Sequence, residues 1–286
     1  MDGCRIVARE ARDALGEGPT WLPGCERLLW VDIFGQRLWS LSLADGTVRS
    51  WTMPERICWV VGRDGGESLL AGFKSGVAEL RLDPLNIVPR VAPEPDRPQN
   101  RLNDAKVDGT GRLWFGSKDD RDEEASGALY SLDANGSLVR HDDGYRVTNG
   151  PAFSPDGRWL YHTDSGRGAV YRFALSAGGV LGPRELFLRF EDDWGAPDGM
   201  TTDCEGFLWI AHWGGGRVSR FDPAGRLDRS VPLPATNITS CTFAGTDLDR
   251  MFVTSASLGT EGEPHAGALF EIDPGVKGLV PMAFAG

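Results

Sequence analysis

A hairpin-like unit recurs along this chain. In residues 148–164, TNGPAFSPDGRWLYHTD, a polar residue precedes a short apolar run, an Asp-Gly turn follows, and an aromatic segment ends in a polar residue. An Asp-Gly turn between two apolar runs is a strong signal for a β-hairpin. Six units align on one position of the second strand, and the aligned residues are 41, 43, 47, 48 and 43 positions apart: Trp30, Ala71, Trp114, Tyr161, Trp209 and Phe252.

A repeat of about 40 to 50 residues with several short strands is typical of a propeller. The sequence therefore predicts an all-β fold, a six-bladed β-propeller of four-stranded blades, with residues 1–286 as one domain. We expect closure between N- and C-terminal strands, with residues 4–9 and 279–284 both adding strands to the sixth blade. Residues 84–99 are expected to be a plain connection between blades. The alternative is a large β-sandwich, which need not repeat the same residue classes at the same offsets.

Composition excludes several classes of function. The net charge is -11 and the sequence pI is about 4.9, so nucleic acid and anionic membrane surfaces would be repelled. The five cysteines show no CxxC spacing, which argues against a disulfide framework or a zinc cluster. Neither a signal-peptide segment nor an 18-residue apolar run is present, so we expect a cytoplasmic protein.

Polar residues occupy equivalent positions near the start of four innermost strands. Counted back from the aligned position of the second strand, these residues lie 11 to 13 positions upstream: Glu17, Asn103, Asn149 and Asp198. Innermost strands all start at one end of the central channel, so these side chains should face one another. Buried oxygen atoms are costly unless something compensates them, and an oxygen-only set suits a divalent cation such as Ca²⁺, Mg²⁺ or Mn²⁺. The alternative is that Glu17, Asn149 and Asp198, each followed by glycine, are turn formers.

Several longer motifs occur in one order along the chain. They include LGEGPTW from Leu15, RLNDAKVDGTGRLWFGS from Arg101, TNGPAFSPDGRWLYHTDS from Thr148 and PDGMTTDCEGFLWIAHWGGGRV from Pro197. In these motifs the chain resembles the SMP-30/gluconolactonase/luciferin-regenerating-enzyme family of six-bladed propellers, which includes regucalcin and bacterial sugar lactonases. The resemblance implies metal-dependent hydrolysis of an aldonolactone to its aldonic acid. It also implies that Glu17, Asn149 and Asp198 bind the metal, and that Arg101 and Asn103 contact the sugar lactone.

The chain departs from the family at one loop. The family often has Met where Lys118 stands, and its acidic lid residue could match any acid of residues 119–124. Because this loop helps to set sugar preference, the departures leave the identity of the lactone open.

The predicted partner is a small sugar lactone, and the predicted cofactor is one divalent ion among Ca, Mg, Mn, Zn and Fe. Such an ion polarises an ester carbonyl and makes a bound water more acidic. We expect Asp198 to be the general base, with Glu17 as the alternative. A Ser-His-Asp hydrolase is disfavoured, since there is no GxSxG motif and the four histidines fall outside the convergent positions. The competing function is a non-catalytic cation-binding propeller. A protein that only binds a cation would gain nothing from the positive charge of Arg101 beside that cation.

Overall fold

Six antiparallel four-stranded sheets make up the computed structural model, which describes residues 3–66 and 68–286. The sheets are arranged as a six-bladed β-propeller, so the predicted fold is confirmed. In the first five blades the strands lie in chain order from the channel outward, and in the sixth the N-terminal strand lies outermost. The innermost strands of neighbouring blades contact one another around the axis. Short 3-10 turns occur at Pro23–Cys25 and Ser165–Arg167.

The strands have the following bounds. The first three blades contain β2 (Gly16–Leu22), β3 (Arg27–Asp32), β4 (Arg37–Ser42) and β5 (Val48–Thr52); β6 (Ile57–Gly62), β7 (Leu69–Phe73), β8 (Val77–Leu82) and β9 (Leu85–Val91); and β10 (Asn100–Val107), β11 (Leu113–Asp119), β12 (Gly127–Leu132) and β13 (Leu138–Tyr145). The last three contain β14 (Thr148–Phe153), β15 (Trp159–Asp164), β16 (Ala169–Ala174) and β17 (Glu185–Arg189); β18 (Ala196–Thr202), β19 (Leu208–Trp213), β20 (Arg217–Phe221) and β21 (Leu227–Pro232); and β22 (Asn237–Ala244), β23 (Arg250–Ala256), β24 (Phe270–Ile272) and β1 (Cys4–Ile6).

The sixth blade joins the two ends of the chain. Strand β1 pairs antiparallel with β24, from Cys4 opposite Ile272 to Ile6 opposite Phe270. Closure between N- and C-terminal strands is therefore confirmed, because the N-terminal strand completes the last blade of the ring.

The predicted role of residues 279–284 in that blade is wrong. This segment crosses to other blades, where Phe284 forms a bridge to Arg63 and the Ala285 N–H donates to the Gly111 carbonyl. Phe284 is buried in the core, and this apolar anchor holds the tail away from the sixth blade.

Residues 84–99 are also not a plain connection, because they contain β9, the outermost strand of the second blade. Leu85 and Val88 of this strand are exposed by 45% and 42%, and Ile87 and Val91 are only partly buried against the core, so β9 contributes little to the apolar interior. Pro89 is tolerated because an edge strand leaves some backbone N–H groups without a ladder partner.

Every innermost strand contains a one-residue β-bulge near its start. The register shifts lie between Glu17 and Thr20, Ile57 and Trp59, Leu102 and Ala105, Asn149 and Ala152, Pro197 and Met200, and Ile238 and Ser240. A bulge breaks the strict alternation of side chains and can re-aim one of them. The six bulges therefore bring side chains toward the channel at one level of the propeller.

Tryptophans of the second strands are held by buried carboxylates. The indole Nε1 groups of Trp30, Trp114 and Trp209 donate to Asp13, Asp108 and Asp203 at 3.1, 2.7 and 2.9 Å. All three rings are buried, so each of these three blades keeps a large apolar contact without leaving the indole N–H of that ring unsatisfied. In the part of the chain that the structure describes, no helix is long and apolar enough to cross a membrane.

His162 should make the protein sensitive to acid. Its ring is fully buried against Tyr145, and within residues 3–66 and 68–286 neither ring nitrogen has a hydrogen-bond partner. Burial lowers the pKa of His162 to about 3. Because an unfolded histidine titrates near pH 6.5, the unfolded chain binds more protons below that pH, and stability falls as pH falls. Between pH 7 and pH 5, His162 alone should cost about 2 kcal/mol.

The prediction can be tested by comparing the wild type with His162→Phe in urea denaturation experiments at pH 7, 6 and 5 in EDTA. The free energy of unfolding of the wild type should fall more steeply than that of the variant, and effects from shared carboxylates cancel in the difference. Parallel pH profiles would show that the buried imidazole does not titrate as argued.

Candidate functional site

Three carboxylates from three different blades meet in the central channel. Glu17, Asp104 and Asp198 are exposed by only 6%, 6% and 5%. Burial, followed by the charges of Asp198 and Asp104, raises the pKa of Glu17 well above its usual range. Burial and the charge of Asp104 likewise raise the pKa of Asp198. The charge of Asp198 acts on Glu17, and the charge of Asp104 acts on both, which indicates that the three side chains lie near one another in the channel.

Asn103 and Asn149 extend this cluster. The Asn103 Nδ2 donates to the Asn149 Oδ1 at 2.9 Å, and also to the carbonyl of Thr148. The Asn149 Nδ2 donates to the Ser165 Oγ at 2.8 Å. Both amides are thereby fixed, with their side chains buried at the same end of the channel as the carboxylates.

Glycines next to the site residues allow the strands to approach closely. Gly150 has a left-handed backbone with φ of 75°, and its N–H donates to the Asp104 Oδ2 at 3.0 Å. A Cβ at Gly199 would lie 2.3 Å from the Ser240 Oγ of the next blade. These glycines are therefore required by the backbone geometry of the site, beyond any role in a turn.

Asp104 was missed by the sequence reasoning, which selected only Asn103 from the Asn-Asp pair. The β10 bulge contains both residues, so both side chains can reach the channel. The Asp104 Oδ1 accepts a hydrogen bond from the Ala105 N–H at 2.8 Å. Burial raises the pKa of Asp104 to about 6 despite the opposing charge of Lys106.

Lys106 was missed as well. Its Nζ donates at 2.8 Å to the carbonyl of Met200, which lies two residues after Asp198. Burial lowers the pKa of Lys106, whereas the charge of Asp104 acts in the opposite direction. The signal in the sequence was a charged residue two positions after Asp104 on a predicted innermost strand, which places both on one face.

Arg101 lies at the edge of the carboxylate cluster. Its Nε donates to the Asp120 Oδ1 at 3.1 Å, and its Nη1 donates to the Leu102 carbonyl at 2.9 Å and to the Asn103 Oδ1. The Arg101 side chain is buried, so its guanidinium is held in one place. Arg101 and Asn103, the two predicted substrate contacts, are therefore in direct contact with each other.

Asp120 is the loop acid that reaches this cluster. Besides Arg101, it accepts a hydrogen bond from the Lys74 Nζ at 2.8 Å and pairs with Arg56. Burial raises the pKa of Asp120, but the hydrogen bond from Lys74 and the charges of Arg101 and Arg56 outweigh burial and hold it below its usual range. The adjacent Asp119 instead accepts the N–H groups of residues 123 and 124 and shapes the loop.

The donor set fits a hard divalent cation. Asp198 Oδ1 is buried and has no hydrogen-bond partner among the residues that the structure describes, so this oxygen faces the channel uncompensated. Within the same described ranges there is no group of three His, Cys, Asp or Glu side chains with metal-site spacing. The candidate ligands Glu17, Asn149 and Asp198 combine two carboxylates with an amide oxygen, which is the chemistry that Ca²⁺, Mg²⁺ and Mn²⁺ prefer.

Comparison with known proteins places the chain in a family. Residues 15–257 match the model of the SMP-30/Gluconolactonase/LRE-like region. The chain is 36% identical to regucalcin of Danio rerio, with 96% of each chain covered, and 35% identical to L-arabinolactonase of Azospirillum brasilense, with 99% of this chain and 96% of that one covered.

A solved structure supports the same relationship. The crystal structure of a calcium-binding regucalcin from Agrobacterium tumefaciens superposes with a TM-score of 0.92 and 28% identity, covering 99% of this chain and 97% of that chain. The shared fold, the end-to-end match and the similarity to both regucalcin and a lactonase show that this chain belongs to the SMP-30/gluconolactonase/luciferin-regenerating-enzyme family.

Proposed function

We propose that this protein hydrolyses a sugar lactone to the corresponding aldonic acid, with one divalent cation held by Glu17, Asn149 and Asp198. The observation that carries the proposal is the partnerless, buried Asp198 Oδ1 in a cluster of repelling carboxylates. Close beside it, Arg101 and Asn103 can bind a polar substrate. The similarity to L-arabinolactonase supports the reaction, and the similarity to a calcium-binding regucalcin supports the cation.

The identity of the cation follows from the donor atoms. Oxygen-only ligands favour Ca²⁺, Mg²⁺ or Mn²⁺, whereas Zn²⁺ and Fe²⁺ usually take nitrogen or sulfur ligands as well. When bound, the cation would polarise the lactone carbonyl, acidify a water and favour the ionised forms of Glu17 and Asp198.

Asp198 is the proposed general base. The water oxygen bonds to the lactone carbonyl carbon while Asp198 accepts the proton that this water loses. The bond from the carbonyl carbon to the ring oxygen then breaks, and the ring oxygen takes the proton from Asp198 as it becomes a hydroxyl. One water molecule is consumed for each lactone that is opened. Glu17 is the alternative base, since it is equally buried in the same cluster.

Arg101 and Asn103 orient the substrate. The ion pair with Asp120 fixes the Arg101 guanidinium, so its N–H groups are in place before the substrate arrives. Such preorganised donors stabilise an oxygen on which negative charge develops. Asn103, held against Asn149, can contact the sugar hydroxyls on the same side of the channel.

A non-catalytic cation-binding propeller is the alternative, and the similarity to L-arabinolactonase and 6-deoxy-6-sulfogluconolactonase argues against it. A pH-indicator assay against γ- and δ-aldonolactones, with EDTA and with each of Ca²⁺, Mg²⁺, Mn²⁺, Zn²⁺ and Fe²⁺, separates the two. We expect acid release that requires a cation. Cation binding without hydrolysis of any lactone would favour the alternative.

Asp198→Ala should lower kcat/KM by at least about 10²–10⁴, because it removes both the base and a metal ligand. A ligand bound only to the native state stabilises it, by about 2.7 kcal/mol at one hundred times Kd. Added cation should therefore raise the Tm of the wild type and raise that of the variant far less.

The matched control is Asp192→Ala, which removes an exposed acid from the loop before β18. It should retain both the activity and the cation-dependent shift in Tm. An Asp198→Ala protein whose Tm still rises as much as that of the wild type would contradict the assignment of Asp198 as a ligand.

Asn103→Ala should retain the metal but bind substrate poorly. We expect one cation per chain by calorimetry, together with a kcat/KM reduced by about tenfold, as for the loss of one hydrogen bond that the Asn103 Oδ1 accepts from the substrate. Loss of the cation in this variant would instead make Asn103 part of the metal site.

A further inference from the structure

Lys118 is a buried cation next to the proposed substrate site. It lies on β11 directly opposite Arg101 on β10 in the antiparallel register, and its side chain is only 6% exposed. Burial and the charge of Arg101 lower the pKa of Lys118, and the charge of Lys118 opposes the rise that burial and Asp104 cause in the pKa of Asp198. Its ammonium is therefore electrostatically close to both the arginine and the proposed base.

The ion-pair partner of Lys118 is a carboxylate that solvent already reaches. Lys118 pairs with Asp122, whose side chain is 58% exposed. Asp122 belongs to the irregular segment after β11 and has a left-handed backbone with φ of 60°. An exposed carboxylate gains little net free energy from such a pair, because water and salt compete for it. An incoming anion could therefore replace Asp122 on the buried ammonium.

In the ion pairs around Arg101, the cationic side chains outnumber the carboxylates that they contact. Four cationic side chains occupy this rim, Arg56, Lys74, Arg101 and Lys118, and the carboxylates that pair with them are Asp120 and Asp122. Asp120 is shared by three of the four cations. A rim of this kind favours a ligand that brings its own negative charge.

We propose that the natural lactone carries an anionic group, such as a carboxylate or phosphate, at the end of the sugar away from the reacting carbonyl, and that the Lys118 ammonium binds this group in place of Asp122. The proposal rests on the proposed lactonase function and names its substrate class. A neutral lactone can use the cation site, Arg101 and Asn103, but it leaves the exposed Asp122 as the ion-pair partner of the buried Lys118 ammonium. An anionic lactone satisfies that charge inside the site.

The test compares lactones that differ only in the distal group. The γ-lactone of D-gluconic acid ends in a hydroxymethyl group, and the γ-lactone of D-glucaric acid ends in a carboxylate at the same carbon. The wild type should show a kcat/KM at least about tenfold higher for the anionic lactone, as expected for a charge-assisted hydrogen bond. This ratio should fall as salt is added.

Lys118→Met removes the charge and keeps an unbranched apolar side chain of similar length. We expect the ratio of anionic to neutral kcat/KM to fall by about 10- to 100-fold, mainly through KM for the anionic lactone. Lys118→Gln provides a second variant in case the methionine perturbs folding, which melting curves would reveal. Asp122→Asn removes the competing carboxylate, so the ratio should hold or rise.

Arg121→Met is the matched control. It removes a positive charge from the same loop, but Arg121 is 54% exposed and pairs with Asp119 and Glu123. Its ratio should change by less than about twofold, as expected for an exposed ion pair. An equal effect of Arg121→Met and Lys118→Met would overturn the assignment to Lys118, because general loop charge would then explain the preference.

The remaining outcomes separate this inference from the proposed function. Cation-dependent hydrolysis with a wild-type preference for the neutral lactone would overturn the inference and leave the lactonase function standing. A ratio unchanged in both Lys118 variants would do the same. Hydrolysis of no lactone would overturn both.

Discussion

Closure of the ring is the constraint on which the rest of the molecule depends. The site residues come from the first, third, fourth and fifth blades, and Glu17 and Asp198 are separated by 181 positions in the chain. No local structure holds them together, so their separation is set by the packing of neighbouring innermost strands around the axis. The short pairing of β1 with β24 completes this circle, and the functional geometry therefore rests partly on three residue pairs far from the site.

The carboxylate cluster works against this closure. Burying Glu17, Asp104 and Asp198 removes their hydration and raises the pKa of all three, and neighbouring carboxylates raise the pKa of Glu17 and Asp198 further. The fold offsets part of this cost with donors in fixed positions: the Gly18 N–H on Glu17 at 3.1 Å and the Ala105 and Gly150 N–H groups on Asp104. The bulges make these backbone groups available, because a residue displaced from the ladder can donate to a side chain instead.

Much of this arrangement could be predicted from the sequence. Radial repetition shows in the spacing of the second strands because they are buried on both faces, so their apolar and aromatic residues cannot vary freely. The convergence of Glu17 with Asp198, and of Asn103 with Asn149, followed from equivalent positions in separate repeats. The roles assigned to these residues remain predictions.

What could not be predicted has physical reasons. The strand β9 is exposed along most of its length, and the prolines and charged residues of 84–99 obscure the short alternation of Leu85, Ile87 and Val91. The course of residues 279–284 depends on where one side chain, Phe284, finds an apolar pocket, and strand periodicity does not report this. Asp104 was overlooked because regular alternation directs adjacent side chains to opposite faces, and only the bulge lets Asn103 and Asp104 share one.

Different cationic side chains act on the different carboxylates of the channel. Lys106 donates to the Met200 carbonyl, and because its ammonium is part of the protein it compensates the charge of Asp104 whether or not a metal is present. The charge that favours the ionised form of Glu17 comes from Arg101, and the charges that favour that of Asp198 come from Lys118 and Arg101. Removing a bound cation would therefore leave Asp104 balanced and expose Glu17 and Asp198 to each other. An ion bound at the proposed site would therefore act mainly by relieving the repulsion at Glu17 and Asp198. The innermost strands around these residues would keep their positions, because the amide donors and Lys106 hold them.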